Sequence, residues 1–224
     1  MSNGISIVKG ILWVLVWFGF MIFYTVLDIL IWRKIAPEQS RFLNLITVAI
    51  CMAIFLNLLV TKTNFKLRLF SNISFLGIVL ALGCSVLFYF LLDKGLDPLF
   101  EDLFPSSKEN YQQIIRLINI SPIVSFLDFC ILAPILEEVL MRGFLLDGLS
   151  INYGKIVALL ISAAFFSILH FNIAQIVPSF ICGILLGLLY FYTDSIFSCI
   201  LAHIGYNSIS YMMIMLPIYI NHLK

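Results

Sequence analysis

The densest group of ionisable side chains in this sequence lies within an otherwise apolar stretch. Glu137, Glu138 and Arg142 fall between Ala133 and Gly143. On an α-helix, Glu138 and Arg142 share a face, with the acid on the N-terminal side as a favourable ion pair requires. Glu137 is rotated from Glu138 by about 100° and has no charged partner on its own turn. The spacing therefore predicts that Arg142 holds Glu138 and that Glu137 is free to act as a base.

Two further groups combine an imidazole with a partner at helical spacing. Phe166 and His170 are four residues apart near the end of one apolar stretch, and His203 and Asn207 are four apart in another. Taken singly, each pattern is more typical of a hydrogen-bonded core residue than of a reactive group. Together with Glu137, they supply a base, a positioning group and two hydrogen-bond donors. These are the parts needed to activate water and to stabilise an oxyanion.

The composition requires these groups to be positioned by membrane-spanning helices. Hydrophobic residues make up 62% of the 224 residues and charged residues only 11%, and the mean hydropathy is +1.09. Soluble proteins carry roughly 25% charged residues, so a water-soluble domain is excluded. The net charge of +1 argues against a nucleic-acid partner. The five scattered cysteines indicate neither a disulfide framework nor a thiolate metal site.

Seven stretches are long and apolar enough to be interpreted as transmembrane helices, since about 20 apolar residues cross the hydrocarbon core. They are residues 11–31, 42–60, 73–92, 122–149, 156–171, 176–192 and 196–220. We therefore expect an all-α polytopic membrane protein, a bundle of about seven transmembrane helices. The basic residues Lys9, Lys62, Lys66 and Arg68 favour a cytoplasmic N-terminus under the positive-inside tendency.

A charged segment separates the third and fourth spans. Its charged residues are Asp93, Lys94, Asp97, Glu101, Asp102, Lys108, Glu109 and Arg116. Asp97 followed by Pro98 is typical of a helix start, and we expect residues 93–120 to form amphipathic helices lying in the membrane interface. This segment divides the N-terminal transmembrane helices, residues 1–92, from residues 121–224, which hold almost all the unusual side chains.

Two backbone features of the second half predict irregular or close helix packing. Pro134 lies a few residues before the paired acids, where it is placed to kink a helix and free a carbonyl group. Gly183 and Gly187 form a GxxxG spacing, which lets helix backbones approach closely. The same spacing also arises by chance in an apolar run that contains glycine.

The three groups of polar residues match, in order, the motifs of a known family. They are EExxxR at Glu137, Glu138 and Arg142, FxxxH at Phe166 and His170, and HxxxN at His203 and Asn207. This set resembles the motifs of the CPBP family, also called the Abi or type II CAAX prenyl endopeptidase family, over roughly residues 121–211. The resemblance implies that residues 121–224 form a CPBP-like catalytic core, and that the chain is an intramembrane endopeptidase.

The resemblance also implies a role for each motif residue. Glu137 and His170 would activate the hydrolytic water, whereas His203 and Asn207 would bind the oxyanion. The other three would support this geometry: Glu138, Arg142 and Phe166. This glutamate mechanism needs no cofactor.

The resemblance further suggests what the substrate is. Eukaryotic relatives trim prenylated CAAX proteins, and bacterial relatives are linked to bacteriocin or pheromone maturation and self-immunity. Frequent Ile, Phe and Asn are typical of a low-GC bacterium. We therefore expect a multi-pass protein of a bacterial plasma membrane, with a peptide precursor or membrane protein as substrate and with room for a partner membrane protein.

Three other interpretations stay open at this point. A zinc-dependent version of the same protease would use Glu137, His170 and His203 as ligands, with Asn207 nearby. A proton-coupled transporter would use the buried charges as a relay, although no internal repeat is visible and the polar groups cluster in one half. A non-catalytic membrane scaffold or immunity protein would bind a partner through the same surface.

Overall fold

The computed structural model describes residues 4–104 and 107–222, and every secondary-structure element within them is a helix. In chain order these are α1 Ile7–Ile35, α2 Ser40–Thr63, α3 Phe75–Leu103, α4 Ser107–Ile120, α5 at 122–153, α6 Lys155–Ile168, α7 Ile176–Thr193 and α8 Ile196–His222. A single 3₁₀ turn, Ile173–Gln175, precedes α7.

Within this described part of the chain, five helices are long and apolar enough to cross a membrane. They are Ile7–Ile35, Ser40–Thr63, Phe75–Leu103, Ile173–Thr193 and Ile196–Pro217. The two remaining predicted spans fall on α5, which carries several charged side chains, and on α6, which has only 14 residues. The prediction of an all-α polytopic membrane protein is confirmed, whereas the number of seven spans is not.

The segment predicted as interfacial belongs to two different helices. The Asp97–Pro98 pair predicts a helix start, but α3 continues through it to Leu103, because a π-helical stretch, Tyr89–Leu96, carries the helix up to Asp97 without a break. After Leu103 a separate helix, α4, follows. Its place in the membrane interface, and the division of the chain into three parts, stay predictions.

Hydrogen bonds between distant segments fix the directions of the helices. Just before α1, the backbone N–H of Ile5 donates to the carbonyl oxygen of Gly148, near the end of α5, at 3.0 Å. At the start of α2, Nη2 of Arg41 donates to Oγ of Ser125, near the start of α5, at 3.2 Å. The start of α1 therefore lies at one end of the bundle, and the starts of α2 and α5 lie together at the other.

Helix α5 forms the centre of the bundle. All eight residues of its stretch Val139–Leu146 are buried, and the six apolar side chains among them, all except Arg142 and Gly143, belong to one large hydrophobic cluster with side chains from the surrounding helices. On α1, α2 and α3, by contrast, many large apolar side chains are exposed. Such surfaces suit contact with lipid, because the backbone groups are already paired within each helix.

Two stretches of α5, Leu127–Leu132 and Val139–Leu146, are π-helical. A π turn bonds residues five apart instead of four and occurs frequently at functional sites. Between the two stretches lies Ala133–Glu138, which contains Pro134 and the paired acids. The irregular backbone of α5 is therefore concentrated where the motif residues are.

The glycines of the GxxxG pair lie where α7 approaches its neighbours. A Cβ atom at Gly183 would lie 3.0 Å from the Cα atom of Ala163 on α6, and one at Gly187 would collide with the side chain of Leu159. A larger residue at either position would push α6 and α7 apart. The GxxxG spacing here reflects close backbone packing, and it sets the distance between the helix of His170 and the helix that follows.

Candidate active site

A buried hydrogen-bond network joins α5, α7 and α8 around Glu138. Its Oε1 accepts from Nη1 of Arg142 at 3.0 Å and lies 2.9 Å from Nδ1 of His203. Because a carboxylate oxygen accepts, Nδ1 carries the hydrogen of this bond. Nη2 of Arg142 donates to the carbonyl oxygen of Gly183 at 3.0 Å. The side chains of Glu138 and Arg142 are 0% exposed, so losing either one would leave an uncompensated buried charge.

Glu137 faces away from its neighbour in sequence, as the helical rotation predicts. Its side chain is 28% exposed, and Oε2 lies 3.8 Å from Nε2 of His203. Among the described residues, His203 is the one potential cation within 4 Å of this carboxylate. The imidazole therefore lies between the two glutamates, with Nδ1 bound to Glu138 and Nε2 directed towards Glu137.

His170 lies just beyond the last residue of α6, where helix carbonyl groups lack partners within the helix. Its Nδ1 lies 2.8 Å from the carbonyl oxygen of Phe166. A carbonyl oxygen only accepts, so Nδ1 carries the hydrogen, and Nε2 keeps a free lone pair in the neutral ring. Phe171 follows in the left-handed region, with φ at 50°, and the chain turns away. The side chain of His170, four residues after Phe166, thus caps the helix, and the same hydrogen bond selects the tautomer of the histidine.

The ring of Phe166 contacts three of the other motif side chains. It meets the His170 ring edge-to-face at 4.9 Å and the His203 ring at 5.6 Å between centroids. The guanidinium of Arg142 lies over the same ring, 4.6 Å from its centroid. Such cation–π contacts contribute roughly 0.5–2 kcal/mol, more when desolvated. One buried ring therefore fixes the relative positions of groups from three helices.

Asn207 on α8 is held by a backbone group of α5. Its Nδ2 donates to the carbonyl oxygen of Phe129 at 2.9 Å. In this π-helical stretch, the N–H of Ala133 donates to the carbonyl oxygen of Asp128, five residues back. In the same register the partner of Phe129 would be Pro134, which has no N–H. Proline therefore leaves this carbonyl oxygen unpaired within α5, and the carboxamide of Asn207 takes it.

Five motif residues line one cavity of about 320 Å³: Glu137, Phe166, His170, His203 and Asn207. The other two predicted site residues, Glu138 and Arg142, lie behind its wall. They are not part of the cavity surface, because Arg142 reaches instead to the Gly183 carbonyl and the Phe166 ring. Four of the six polar motif residues therefore face one space, and the ion pair of Glu138 and Arg142 supports those four from behind.

The cavity also has walls that the motif patterns did not reveal. Tyr206, between His203 and Asn207 in sequence, lines it, and its hydroxyl donates to Oδ1 of Asp93 on α3 at 2.7 Å. Asp97, one helical turn further along α3, also lines it. The helical spacing of Tyr206 from the motif residues could have suggested its inclusion. No sequence pattern indicates that α3 contributes residues to this cavity.

A zinc ion would require three of these side chains to converge at bonding distances of about 2.0–2.2 Å. Within residues 4–104 and 107–222, no group of three or more His, Cys, Asp or Glu residues is arranged to hold a metal ion. His203 and His170 each use Nδ1 for a hydrogen bond inside the protein, which leaves Nε2 of each ring as the nitrogen that could face a metal ion. A zinc site at Glu137, His170 and His203 would require these side chains to move closer together, and it stays an alternative prediction.

Comparison with known proteins gives a match to a family model. Residues 119–209 match the family model described as Rce1-like, type II CAAX prenyl endopeptidase Rce1-like, and this range contains all three motifs. The curated proteins and the solved structures gave no match to the chain. Five helices suited to crossing a membrane agree with an integral membrane protein. The resemblance drawn from the motifs is confirmed, and residues 119–209 are similar to the type II CAAX prenyl endopeptidase family.

Proposed function

We propose that this chain is an intramembrane endopeptidase that hydrolyses a peptide bond of a membrane-associated protein or peptide precursor. The observation that carries the proposal is that Glu137, His170, His203 and Asn207, from α5, α8 and the end of α6, line one cavity. Peptide hydrolysis within a membrane needs a water-holding space built from polar side chains, since lipid supplies no water.

Glu137 and His170 would activate the water. Glu137 is partly exposed at the cavity and is not committed to an arginine, so its carboxylate is available to accept a proton. His170 has Nδ1 bound to the Phe166 carbonyl, which leaves the lone pair of Nε2 for a second contact with the water. The proton would then pass to the leaving amine as the bond breaks.

Asn207 and His203 would bind the developing oxyanion. One N–H of the Asn207 carboxamide is used by the Phe129 carbonyl, and the second N–H remains for the cavity. His203 has Nδ1 on Glu138, so Nε2 is the nitrogen that can donate when it carries a proton. Donors held in place before reaction are effective because little reorganisation is needed when charge develops.

Glu138 and Arg142 act through His203. A buried carboxylate that accepts from the Nδ1–H of a histidine orients the ring and stabilises its protonated form, in which Nε2 also carries a hydrogen and can donate, as in catalytic triads. Arg142 holds that carboxylate from the other side at 3.0 Å. The two residues are therefore positioning residues, and the reacting groups are those that line the cavity.

The proposed mechanism uses no metal or other cofactor. The family match supports a membrane-associated peptide or protein as substrate. The sequence composition adds a bacterial plasma membrane as the setting, where a secreted peptide precursor suits the chemistry better than a prenylated CAAX protein. A partner membrane protein that presents the substrate is compatible with this role.

The test is cleavage of membrane-anchored fluorogenic peptides by the purified protein in liposomes, with the products identified by mass spectrometry. Glu137→Gln keeps the size of the side chain but removes the base, so the turnover rate should fall by about 10²-fold or more. Its folded yield and thermal midpoint should stay at the wild-type values. Glu109→Gln, an exposed change on α4, is the control and should leave turnover unchanged. Normal turnover by folded Glu137→Gln protein would contradict the proposal.

A further inference from the structure

The cavity has an acidic wall that the proposed reaction does not use. Asp97 lies on α3, outside the matched segment 119–209, yet it lines the same cavity as Glu137, His170 and His203. The last turns of α3 pack against the turn Ile173–Gln175, which follows His170 closely in the chain. A carboxylate is thereby placed in the cavity by a helix that carries no motif residue.

Asp97 lies on α3 between two other acidic residues, with Lys94 three residues before it. Its neighbours four residues away on α3 are Asp93 and Glu101, both acidic, and like charges at this spacing destabilise a helix. Asp93 accepts a hydrogen bond from Tyr206, whereas no ion pair is found for Asp97 among the described residues. Because three acids at this spacing disfavour the free helix, a positive group contributed from outside α3 would stabilise it.

The described lining of the cavity contains acids and imidazoles but neither lysine nor arginine. Its two carboxyl side chains are those of Asp97 and Glu137. The Oγ atom of Ser210, which also lines the cavity, is buried without a hydrogen-bond partner. A buried polar atom that lacks a partner is costly, so a polar group of a ligand that reached this atom would remove that cost.

We propose that Asp97 selects substrates that carry a positive charge close to the bond that is cleaved. This inference rests on the proposed endopeptidase function, because it assigns Asp97 to substrate recognition in the same cavity. The group recognised is a cation, the side chain of Lys or Arg or a free amino group. A carboxylate of the substrate at this point would be repelled by Asp97 and Glu137 and would find no basic side chain in the described lining.

The first measurement is kcat/KM for a series of palmitoylated fluorogenic peptides in liposomes. The peptides are identical except for one residue near the cleaved bond, which is Lys, Gln or Glu in turn, and the varied position is moved along the chain. The wild-type protein should prefer Lys to Glu at one position by on the order of tenfold, the effect of a hydrogen bond to a charged group. Asp97→Asn should reduce this preference to about twofold or less, and Asp97→Lys should reverse it.

The second measurement separates recognition from catalysis. Binding of the same peptides, with fluorescent labels, is measured by anisotropy on Glu137→Gln protein and on the double variant with Asp97→Asn. The Lys peptide should bind more tightly than the Glu peptide to Glu137→Gln protein, and the two peptides should bind equally to the double variant. The control change Glu109→Gln should leave the difference in affinity unchanged. Absence of any charge preference, or a preference that survives Asp97→Asn in folded protein, overturns the inference. A binding preference without turnover supports Asp97 and contradicts only the proposed protease.

Discussion

Nδ2 of Asn207 donates to the carbonyl oxygen of Phe129, 2.9 Å away, and this bond joins the last helix to the helix of the paired acids. It exists because the π-helical register of α5 directs Phe129 at Pro134, which has no N–H to give. A residue with no reactive group thereby positions a proposed oxyanion donor.

Replacing Pro134 by alanine should therefore lower kcat while leaving KM near its wild-type value. Alanine restores an N–H, so Phe129 gains a helical donor, directly in the π register or through Ala133 in the α register, and Asn207 loses its acceptor. The loss should approach that of one oxyanion donor, on the order of 10²-fold. Steady-state kinetics on liposome-reconstituted protein measure both constants.

The control for this substitution is Pro217→Ala, which removes another proline from within a helix, α8, and should leave kcat unchanged. In the double variant Pro134→Ala and Asn207→Ala, the two effects should not add, because both act on one interaction. Additive losses would show that Pro134 acts elsewhere.

Asn207 itself should be sensitive to charge as well as to the loss of a donor. Asn207→Ala should reduce turnover by about 10²–10³-fold and keep measurable activity, since one donor of two is lost. Asn207→Asp should be slower still, because a carboxylate would repel the oxyanion and the Phe129 carbonyl oxygen. If the aspartate variant is the more active of the two, the oxyanion role is wrong.

Arg142 should be needed for folding more than for chemistry. Arg142→Ala leaves the carboxylate of Glu138 buried with one partner fewer and should cost about 3–5 kcal/mol of stability. Folded yield in detergent and the thermal midpoint should drop together with activity, unlike in Glu137→Gln protein. A stable Arg142→Ala protein with lost activity would instead place Arg142 in the reaction.

Activity should survive removal of metal ions by a chelator, because Glu137 and His170 activate the water in the proposed mechanism. Turnover is measured before and after treatment, with metal content determined on the same samples. A zinc mechanism would lose activity on chelation, regain it with Zn²⁺ and tolerate Asn207→Asp, because a carboxylate is a competent zinc ligand. One tightly bound zinc ion per active chain would establish the zinc mechanism instead.

Local spacing was sufficient to predict which side chains share a helix face. The pairing of Glu138 with Arg142 and the separate direction of Glu137 follow from 3.6 residues per turn, and the structure has both. The apolar stretches likewise predicted an all-helical membrane protein, because length and hydrophobicity determine what can cross a bilayer. The number of spans could not be predicted in the same way, because α5 contains several charged side chains and α6 has only 14 residues.

The tertiary structure alone decided what each polar group bonds to across helices. His203 contacts Glu138 through Nδ1, Arg142 reaches the carbonyl of Gly183, and Asn207 takes the carbonyl of Phe129. These partners lie on different helices, and two of them are backbone atoms whose availability depends on the local hydrogen-bond register. A periodic pattern describes the faces of one helix, whereas the contacts between helices depend on how several helices pack together. The position of Asp97 in the cavity wall is of the same kind, because it depends on the packing of α3 against α8.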